Sequence, residues 1–392
     1  MKLIHSADWQ IGMRFRQFGA KAEVLRAVRL RTLRRALEHA ARVEADAFLI
    51  AGDLFEDNQV DAAVVRAVFD LFAEFSDVPI FLLPGNHDPV DGPGCLWRRA
   101  PFAQPPAHVT VFQKATAIEM LGGWLLANPL TQKKSTVDPT LKLAELAATL
   151  PADAIKVGLT HGSPAIESQH QPDDFPIALD AATRAGLDYL AIGHWHSALA
   201  LDGGRVMMPG TPEQTKFDEA NAGAVQEVAI AARDIAPKVT PVRVGELTWQ
   251  TWSFDVANAD VAKASLAQTL REVATPSAVV RVTLHGEASP ESVAKARMWL
   301  ETELAPCLIA QIEDRSTLAL TADELADLQS RHPLVAEVLA ELRGISAGSL
   351  SAVEMQTLSA QTGIPPEGLT EQVAAIAQRV LLRELREVAN AC

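Results

Sequence analysis

Leu82-Leu83-Pro84-Gly85-Asn86-His87-Asp88-Pro89 is an apolar run that stops in a glycine, an amide, an imidazole and a carboxylate. Ile80 to Leu83 reads as a buried strand, so the polar residues fall at its carboxyl end, where open α/β sheets place ligands. A metal and a phosphate both suit those groups. Taken alone the stretch reads as a Pro-Gly/Asn turn, because short motifs recur by chance. Its neighbours decide otherwise.

Leu3 to Ala7 is a strand candidate running into Asp8-Trp9-Gln10-Ile11-Gly12, and Ala47 to Ala51 is another, ending in Gly52-Asp53-Leu54-Phe55-Glu56-Asp57. Between them, Ala22 to Arg42 repeats Leu25, Val28, Leu33, Ala36, Leu37 and Ala40 at helical spacing, with Arg26, Arg29, Arg34 and Arg35 mostly on other faces. Val60 to Phe75 has the same period. The β-α-β-α-β alternation points to a layered α/β domain. Further on, Ile155 to Thr160 runs into His161-Gly162, Ile177 to Ala185 reads as a helix, and Tyr189 to Ile192 ends in Gly193-His194-Trp195-His196. Five strands thus deliver metal-competent side chains, which chance does not readily produce.

Mixed carboxylate, amide and imidazole ligands suit a pair of borderline-hard divalent ions rather than a thiolate zinc site. Two such ions about 3.5 to 4 Å apart activate a water and clamp the oxygens of a phosphate ester during in-line attack. Gly52, Gly85 and Gly193 would permit tight turns where the ligands arrive.

The order Asp8-x-Gln10, Gly52-Asp53, Gly85-Asn86-His87-Asp88, His161-Gly162, Gly193-His194-x-His196 resembles the calcineurin-like metallophosphoesterase superfamily, and within it the SbcD-like nuclease subunits of bacterial SbcCD complexes. The resemblance implies an α/β fold: a layered β-sandwich core flanked by helices over residues 1–245, a small α+β, DNA-recognising cap over 246–321, and a helical region over 322–392. It also implies that Asp8, Gln10, Asp53 and His196 hold one ion and Asp53, Asn86, His161 and His194 the other. Of the divalent ions manganese is expected, ahead of magnesium, iron or zinc. His87 would contact the phosphate and protonate the leaving oxygen, a role imidazole suits near neutral pH, with Asp88 orienting it. One residue departs from the pattern. Where the superfamily has Asp-x-His, this chain has Gln10, whose carbonyl oxygen is a poorer ligand for softer ions, so the first site is expected to be the weaker. The remaining histidines stand outside the motifs: His5 reads as packed or supporting, His39 as a helix-surface residue, and His108, His170, His285 and His332 as solvated.

The superfamily spans protein phosphatases, cyclic-nucleotide phosphodiesterases and nucleases. Phosphatases continue the second motif as Asp-Arg-Gly; here Asp53 is followed by Leu54-Phe55-Glu56, closer to the nuclease pattern Gly-Asp-x-Phe-Asp. Arg14, Arg16, Lys21, Arg26, Arg29, Arg31, Arg34 and Arg35 have only Glu23 among them, a local basic stripe suited to backbone phosphates. The helix arginines read equally as a solvated face, whereas Arg14 and Arg16, in the loop after the first motif, are the DNA-contact candidates. Val373, Ile376, Val380, Leu381 and Leu385 stripe a final amphipathic run, from Leu369 to Val388, that would dock on an SMC-like ATPase or pack on its own cap.

The 392 residues allow two or three domains, and 48% hydrophobic with 21% charged residues is a globular composition. A net charge of −14 excludes a protein coated in basic surface but not a local basic patch. Cys95, Cys307 and Cys392 have no metal-type spacing and read as reduced thiols. Met1 to Asp8 reaches a carboxylate before any signal-peptide core, and no apolar stretch spans a bilayer, so a cytoplasmic protein is expected. The reading is a two-metal DNA exonuclease and endonuclease of repair or end processing, which the resemblance implies works as a homodimer with an ATPase partner. The alternatives are a cyclic-nucleotide phosphodiesterase and, because of Gln10, a catalytically weakened DNA-binding scaffold.

Overall fold

Strands β1 (Lys2–Ser6), β2 (Ala47–Ala51), β3 (Ile80–Leu83) and β4 (Val109–Val111) lie side by side and parallel, because each crossover runs through a helix or long loop on one face. The crossover helices are α1 (Ala22–Arg42) and α2 (Ala62–Glu74), the latter capped by the Asp61 carboxylate, which accepts from Ala63 N at 2.7 Å. The computed structural model describes residues 1–91, 94–167, 169, 171–319, 322–371, 373–374, 376–378 and 380–381. His170, Leu385 and Cys392 lie outside them, as does the end of the final amphipathic run.

A second sheet is built from β5 (Thr116–Met120), β6 (Gly123–Ala127), β7 (Lys156–His161), β8 (Tyr189–Gly193), β9 (Leu199–Leu201) and β10 (Val206–Met208), in the order β5-β6-β7-β8-β10-β9. Strands β11 (Ala224–Ala229) and β12 (Lys238–Arg243) return to the first sheet and complete β12-β11-β1-β2-β3-β4. Alternation explains the layers. In β2, Ala47, Leu49 and Ala51 point into the core between the sheets with Val157, Leu159 and Tyr189, while Phe48 and Ile50 pack with Leu33, Leu37, Val68 and Phe72 of the helices. On the far side α3 (Thr140–Ala147) and α4 (Ala181–Ala185) cover the second sheet through Leu143, Ala182, Leu190 and Ile192. The core is therefore an α/β, helix-flanked β-sandwich.

The helix expected from Ile177 is shorter than its apolar pattern suggests. Ile177 N donates to the Ser163 carbonyl at 2.8 Å, and its own carbonyl accepts from Ala165 N at 2.8 Å, so its backbone groups are used in a bridge and α4 begins at Ala181.

The chain divides into two compact units, Met1–Thr248 and Trp249–Cys392. In the second, a three-stranded sheet of β13 (Thr248–Asp255), β14 (Ala278–His285) and β16 (Ile309–Asp314) packs Phe254, Val280, Val282 and Leu284 against Leu270 of α5 (Ala259–Val273) and Leu300 of α6 (Pro290–Glu303). The short strands β15 (Glu287–Ala288) and β17 (Thr317–Leu318) pair beside it. Helices α7 (Ala322–Arg331), α8 (Pro333–Ser346) and α9 (Ala352–Thr362) follow, and the described residues from 371 to 381 are helical. There Ala374 and Gln378 are buried, whereas Val373, Ile376 and Val380 are 47%, 45% and 46% exposed. Among the described residues no helix is long and apolar enough to cross a membrane.

Candidate metal centre

Every motif residue leaves the carboxyl end of a strand in the parallel part of a sheet: Asp8 and Gln10 after β1, Asp53 after β2, Asn86 and His87 after β3, His161 at the end of β7, His194 and His196 after β8. The two sheets thus bring five strand ends to one edge of the sandwich. Asp8, Gln10, Asp53 and His161 are buried there, and Asn86, His87, His194 and His196 form a partly exposed rim. The backbone is strained at several of these positions: Asp8, Gln10, Asp53 and His194 have φ of 54°, 41°, 53° and 135°.

The tautomers follow from acceptors that can only accept. His161 Nδ1 meets the Ala51 carbonyl at 2.8 Å, and His194 Nε2 meets the Asp174 carboxylate at 2.7 Å, so each ring proton sits on the nitrogen facing outward from the cluster. In the neutral rings the inward nitrogens are lone pairs. His161 Nε2 lies 2.8 Å from Asn86 Oδ1 and 3.3 Å from Asp53 Oδ2; His194 Nδ1 lies 3.1 Å from Asn86 Oδ1 and 3.3 Å from His161 Nε2. Four lone-pair atoms facing one another repel unless a cation stands between them. Burial alone would lower the His161 pKa, but the carboxylates of Asp53 and Asp8 raise it to about 9, so positive charge is favoured at this point. Burial would likewise raise Asp53, yet His161 and His87 hold it well below the carboxylate range.

Asp8 shows the same demand on the other side. Its Oδ2 accepts from His194 N at 3.0 Å, while Oδ1 is buried with no hydrogen-bond partner. Burial pushes its carboxyl up, against His161 and His196. Asp8, Asp53 and His161 offer ligand atoms all within 4.8 Å of one another. His196 Nδ1 meets Glu219 Oε1 at 2.5 Å, which leaves Nε2 as its free donor atom. Burial works against protonation of His196, and Glu219 and Asp8 outweigh it. The donor set therefore fits divalent cations.

His87 is held by its backbone N–H, which donates to Asp53 Oδ1 at 2.9 Å, and by Nδ1, which donates to the Glu56 carbonyl at 3.0 Å. Its Nε2 is left available. Asp88 lies beneath: Oδ1 accepts from Gly85 N at 2.8 Å and Oδ2 from Phe55 N at 3.0 Å, so the carboxylate ties the β3 loop to the β2 loop while the Glu56 carbonyl orients the imidazole. Burial, and then the charge of Asp53, push Asp88 up to about 7.

The glycines serve for different reasons. Gly52 has φ +93° and a Cβ there would also stand 2.0 Å from His161 Nδ1, whereas Gly85 and Gly193 have no left-handed backbone, and a Cβ would stand 2.2 Å from Asp53 Oδ1 at the first and 2.3 Å from the Ala51 carbonyl oxygen at the second. At those two positions the need is close approach.

Arg14 and Arg16 are exposed in the loop after the first motif. Part of the basic stripe behind them is engaged within the fold, while Lys21, Arg26 and Arg35 are exposed. Arg31 pairs with Glu246 and Arg34 with Glu74, and Arg29 is buried. Arg29 corrects the expectation that it sits off the apolar face, since Leu25, Arg29 and Leu33 are spaced by four and share one stripe, a signal present in the sequence. His39, expected on the surface, is buried against Glu227 at 2.9 Å, and His5, expected to be packed, is buried against Tyr189. His108, expected to be solvated, is half-buried and meets the Phe72 carbonyl. Asp174 and Glu219, which orient His194 and His196, come from irregular loops and carry no sequence signal.

Residues 1–198 match the family of calcineurin-like phosphoesterases. The chain is 23% identical over 292 residues to the uncharacterized metallophosphoesterase YhaO of Bacillus subtilis (strain 168), covering 68% of this chain and 65% of the relative. It is 26% identical over 270 residues to the SbcD component of nuclease SbcCD from Rhodobacter capsulatus, covering 54% of this chain and 62% of the relative. The matched stretch thus spans just under two thirds of each relative. A family match over half the chain, on a fold that gathers the motif residues at one sheet edge, places this protein in the calcineurin-like phosphoesterase family.

Proposed function

We propose that the protein is a two-metal DNA phosphodiesterase of the SbcD type, an exonuclease and endonuclease that works with an SMC-like ATPase as a homodimer. The observation that carries the metal-dependent part is the set of metal-competent atoms facing one another, Asp53 Oδ2, Asn86 Oδ1, His161 Nε2 and His194 Nδ1. Asp8, Gln10, Asp53 and His196 would hold one ion and Asp53, Asn86, His161 and His194 the other, with manganese the expected metal. When bound, such ions supply Lewis acidity that lowers the pKa of water and neutralises charge developing on phosphate oxygens.

The chain's own groups supply the rest. His87, oriented through Glu56 and Asp53 with Nε2 available, gives a proton to the leaving oxygen. Substrate reaches the centre over the rim of Asn86, His87, His194 and His196, the part open to solvent. The choice of DNA rests on the similarity to the SbcD component of a nuclease, on Leu54-Phe55-Glu56 in place of the phosphatase pattern, and on the exposed Arg14 and Arg16. The ATPase partner is supported by the same similarity and by Val373, Ile376 and Val380, which stand half exposed while Ala374 and Gln378 take the buried face of their helix.

The test is manganese-dependent cleavage of linear, hairpin and single-stranded DNA, with His87→Ala and a cyclic nucleotide as controls. DNA cleavage that falls roughly 10² to 10⁴-fold in His87→Ala is expected, as for loss of a general acid. Hydrolysis of the cyclic nucleotide alone overturns the nuclease reading, and DNA binding with no metal-dependent cleavage by the wild type leaves a scaffold.

A further inference from the structure

Arg29 is the one charged side chain that α1 sends into the core beneath the centre; it is 1% exposed. Its Nε donates to the Trp9 carbonyl at 2.8 Å, Nη2 donates to the same oxygen, and Nη1 donates to the Glu213 carbonyl at 2.8 Å, with Thr211 Oγ1 3.5 Å from Nη2. Trp9 stands between Asp8 and Gln10. The segment that Arg29 ties to this loop is also tied to it directly, since the Thr211 hydroxyl lies 2.8 Å from the Asp8 carbonyl and 2.9 Å from that of Glu213. The Glu213 carboxylate in turn accepts from Thr32 Oγ1 at 2.5 Å, Glu246 N at 2.7 Å and Leu247 N at 3.2 Å, which anchors the clamp.

The loop needs such a clamp. Asp8 and Gln10 both take left-handed backbone, at φ 54° and 41°, and two non-glycine residues so close together persist only where the surroundings over-determine them. Pairing along the neighbouring strand supplies Asp8 N to Gly52 O at 3.2 Å and Gln10 N to Asp53 O at 2.9 Å. Those bonds hold the two ends; Arg29 holds the middle. Only a guanidinium can do this here, because one planar fork reaches the Trp9 and Glu213 carbonyls together, and an ammonium on a flexible stem cannot. Its charge also faces the carboxylates of Glu213, Glu219, Glu56 and Asp8.

We propose that Arg29 is a positioning residue for the first metal site: by clamping the Trp9 carbonyl against the Thr211–Glu213 segment it keeps Asp8 and Gln10 turned toward the cluster. The inference rests on the reading of Asp8 and Gln10 as ligands, and it predicts an effect confined to one of the two ions.

The experiment is a manganese titration of the full chain, by calorimetry and by the Mn(II) resonance signal, for wild type, Arg29→Lys and Thr211→Val, beside kcat and KM on bis(4-nitrophenyl) phosphate. The expected result is a cooperatively folding Arg29→Lys that binds one ion as the wild type does and the other roughly tenfold or more weakly, as for loss of a group supporting a ligand. Its kcat should fall with KM little changed, and Thr211→Val should weaken the same ion to a smaller degree. Wild-type affinity at both sites in folded Arg29→Lys, or equal loss at both, overturns the inference alone. If Arg29→Lys does not fold, wild-type titration of Thr211→Val overturns it. Uptake of one ion or none by the wild type overturns the metal-centre reading and this inference with it.

Discussion

Residues 8–10 and residues 85–88 leave the ends of parallel strands two places apart in one sheet, and both send side chains to the same cluster, yet they are fastened by opposite means. The loop after β3 carries its own clamp: Asp88, three residues from Gly85, accepts from Gly85 N and Phe55 N, and Trp97 Nε1 closes the turn on the Asp88 carbonyl. The loop after β1 has no such residue. It borrows Arg29 from α1 and Thr211 from a segment some two hundred positions away. A loop at the candidate centre can thus be held from within or from without, and the first kind survives changes elsewhere that would release the second.

The largest effect that would test this comparison is on the local clamp. Asp88→Ala leaves Gly85 N and Phe55 N buried without acceptors, each an unsatisfied donor that costs about 1 to 3 kcal/mol. Urea unfolding should show a lower midpoint at unchanged slope. A loss below about 1 kcal/mol would mean that the loop does not depend on its own carboxylate.

A titration separates the two strands next. β3 is apolar throughout, whereas β1 carries His5, buried against Tyr189 Oη at 2.8 Å and with its pKa lowered by burial to about 3. The unfolded chain protonates His5 near 6.5 and the folded chain only near 3, so between those values the unfolded state binds more protons and stability falls as pH falls. By pH 5 the loss amounts to about 2 kcal/mol. His5→Gln should flatten that limb of the stability curve; an unchanged limb would locate the acid sensitivity elsewhere.

The same contrast governs what is legible in the chain alone. The strand ends and the metal-competent residues that follow them can be read because each motif is local: an apolar run, a turn residue and a donor within a few positions. The sandwich can be read through the order of those motifs. What lies hidden is support from afar. Arg29 reads as one of the solvent-facing arginines, although its spacing to Leu25 and Leu33 puts it on the buried stripe. Asp174 and Glu219 meet His194 and His196 through loops whose approach depends on the finished fold. Gly85 and Gly193 read as turn glycines, whereas their backbones need room rather than left-handed freedom.

Remote support has a smaller counterpart at the rim. Asp174 accepts from His194 Nε2 at 2.7 Å and fixes which nitrogen faces the cluster, as a carboxylate behind a liganding histidine commonly does. The ring pulls Asp174 below the usual carboxylate range. Asp174→Asn keeps the shape and loses the charge, and it should weaken manganese roughly tenfold at one site with the unfolding midpoint unchanged. Weakening at both sites would show that the two ions are not supported separately.

The smallest effect comes from the same helix as the remote clamp. Arg31 lies two residues from Arg29 and likewise reaches a distant segment, in its case through the Glu246 carboxylate with bonds of 2.8 and 2.6 Å, but its side chain is half exposed. Water already solvates both partners before they meet, and salt screens them afterwards, so the pair contributes less than about 1 kcal/mol. Arg31→Ala should shift the unfolding midpoint slightly at low ionic strength and hardly at all in half-molar salt, with manganese binding unaltered. A loss of manganese affinity in this variant would extend the clamp beyond Arg29 to the solvent face of α1, because Glu246 N is itself a donor to the Glu213 carboxylate. Burial, not the number of bonds to distant segments, is what separates two arginines on one helix.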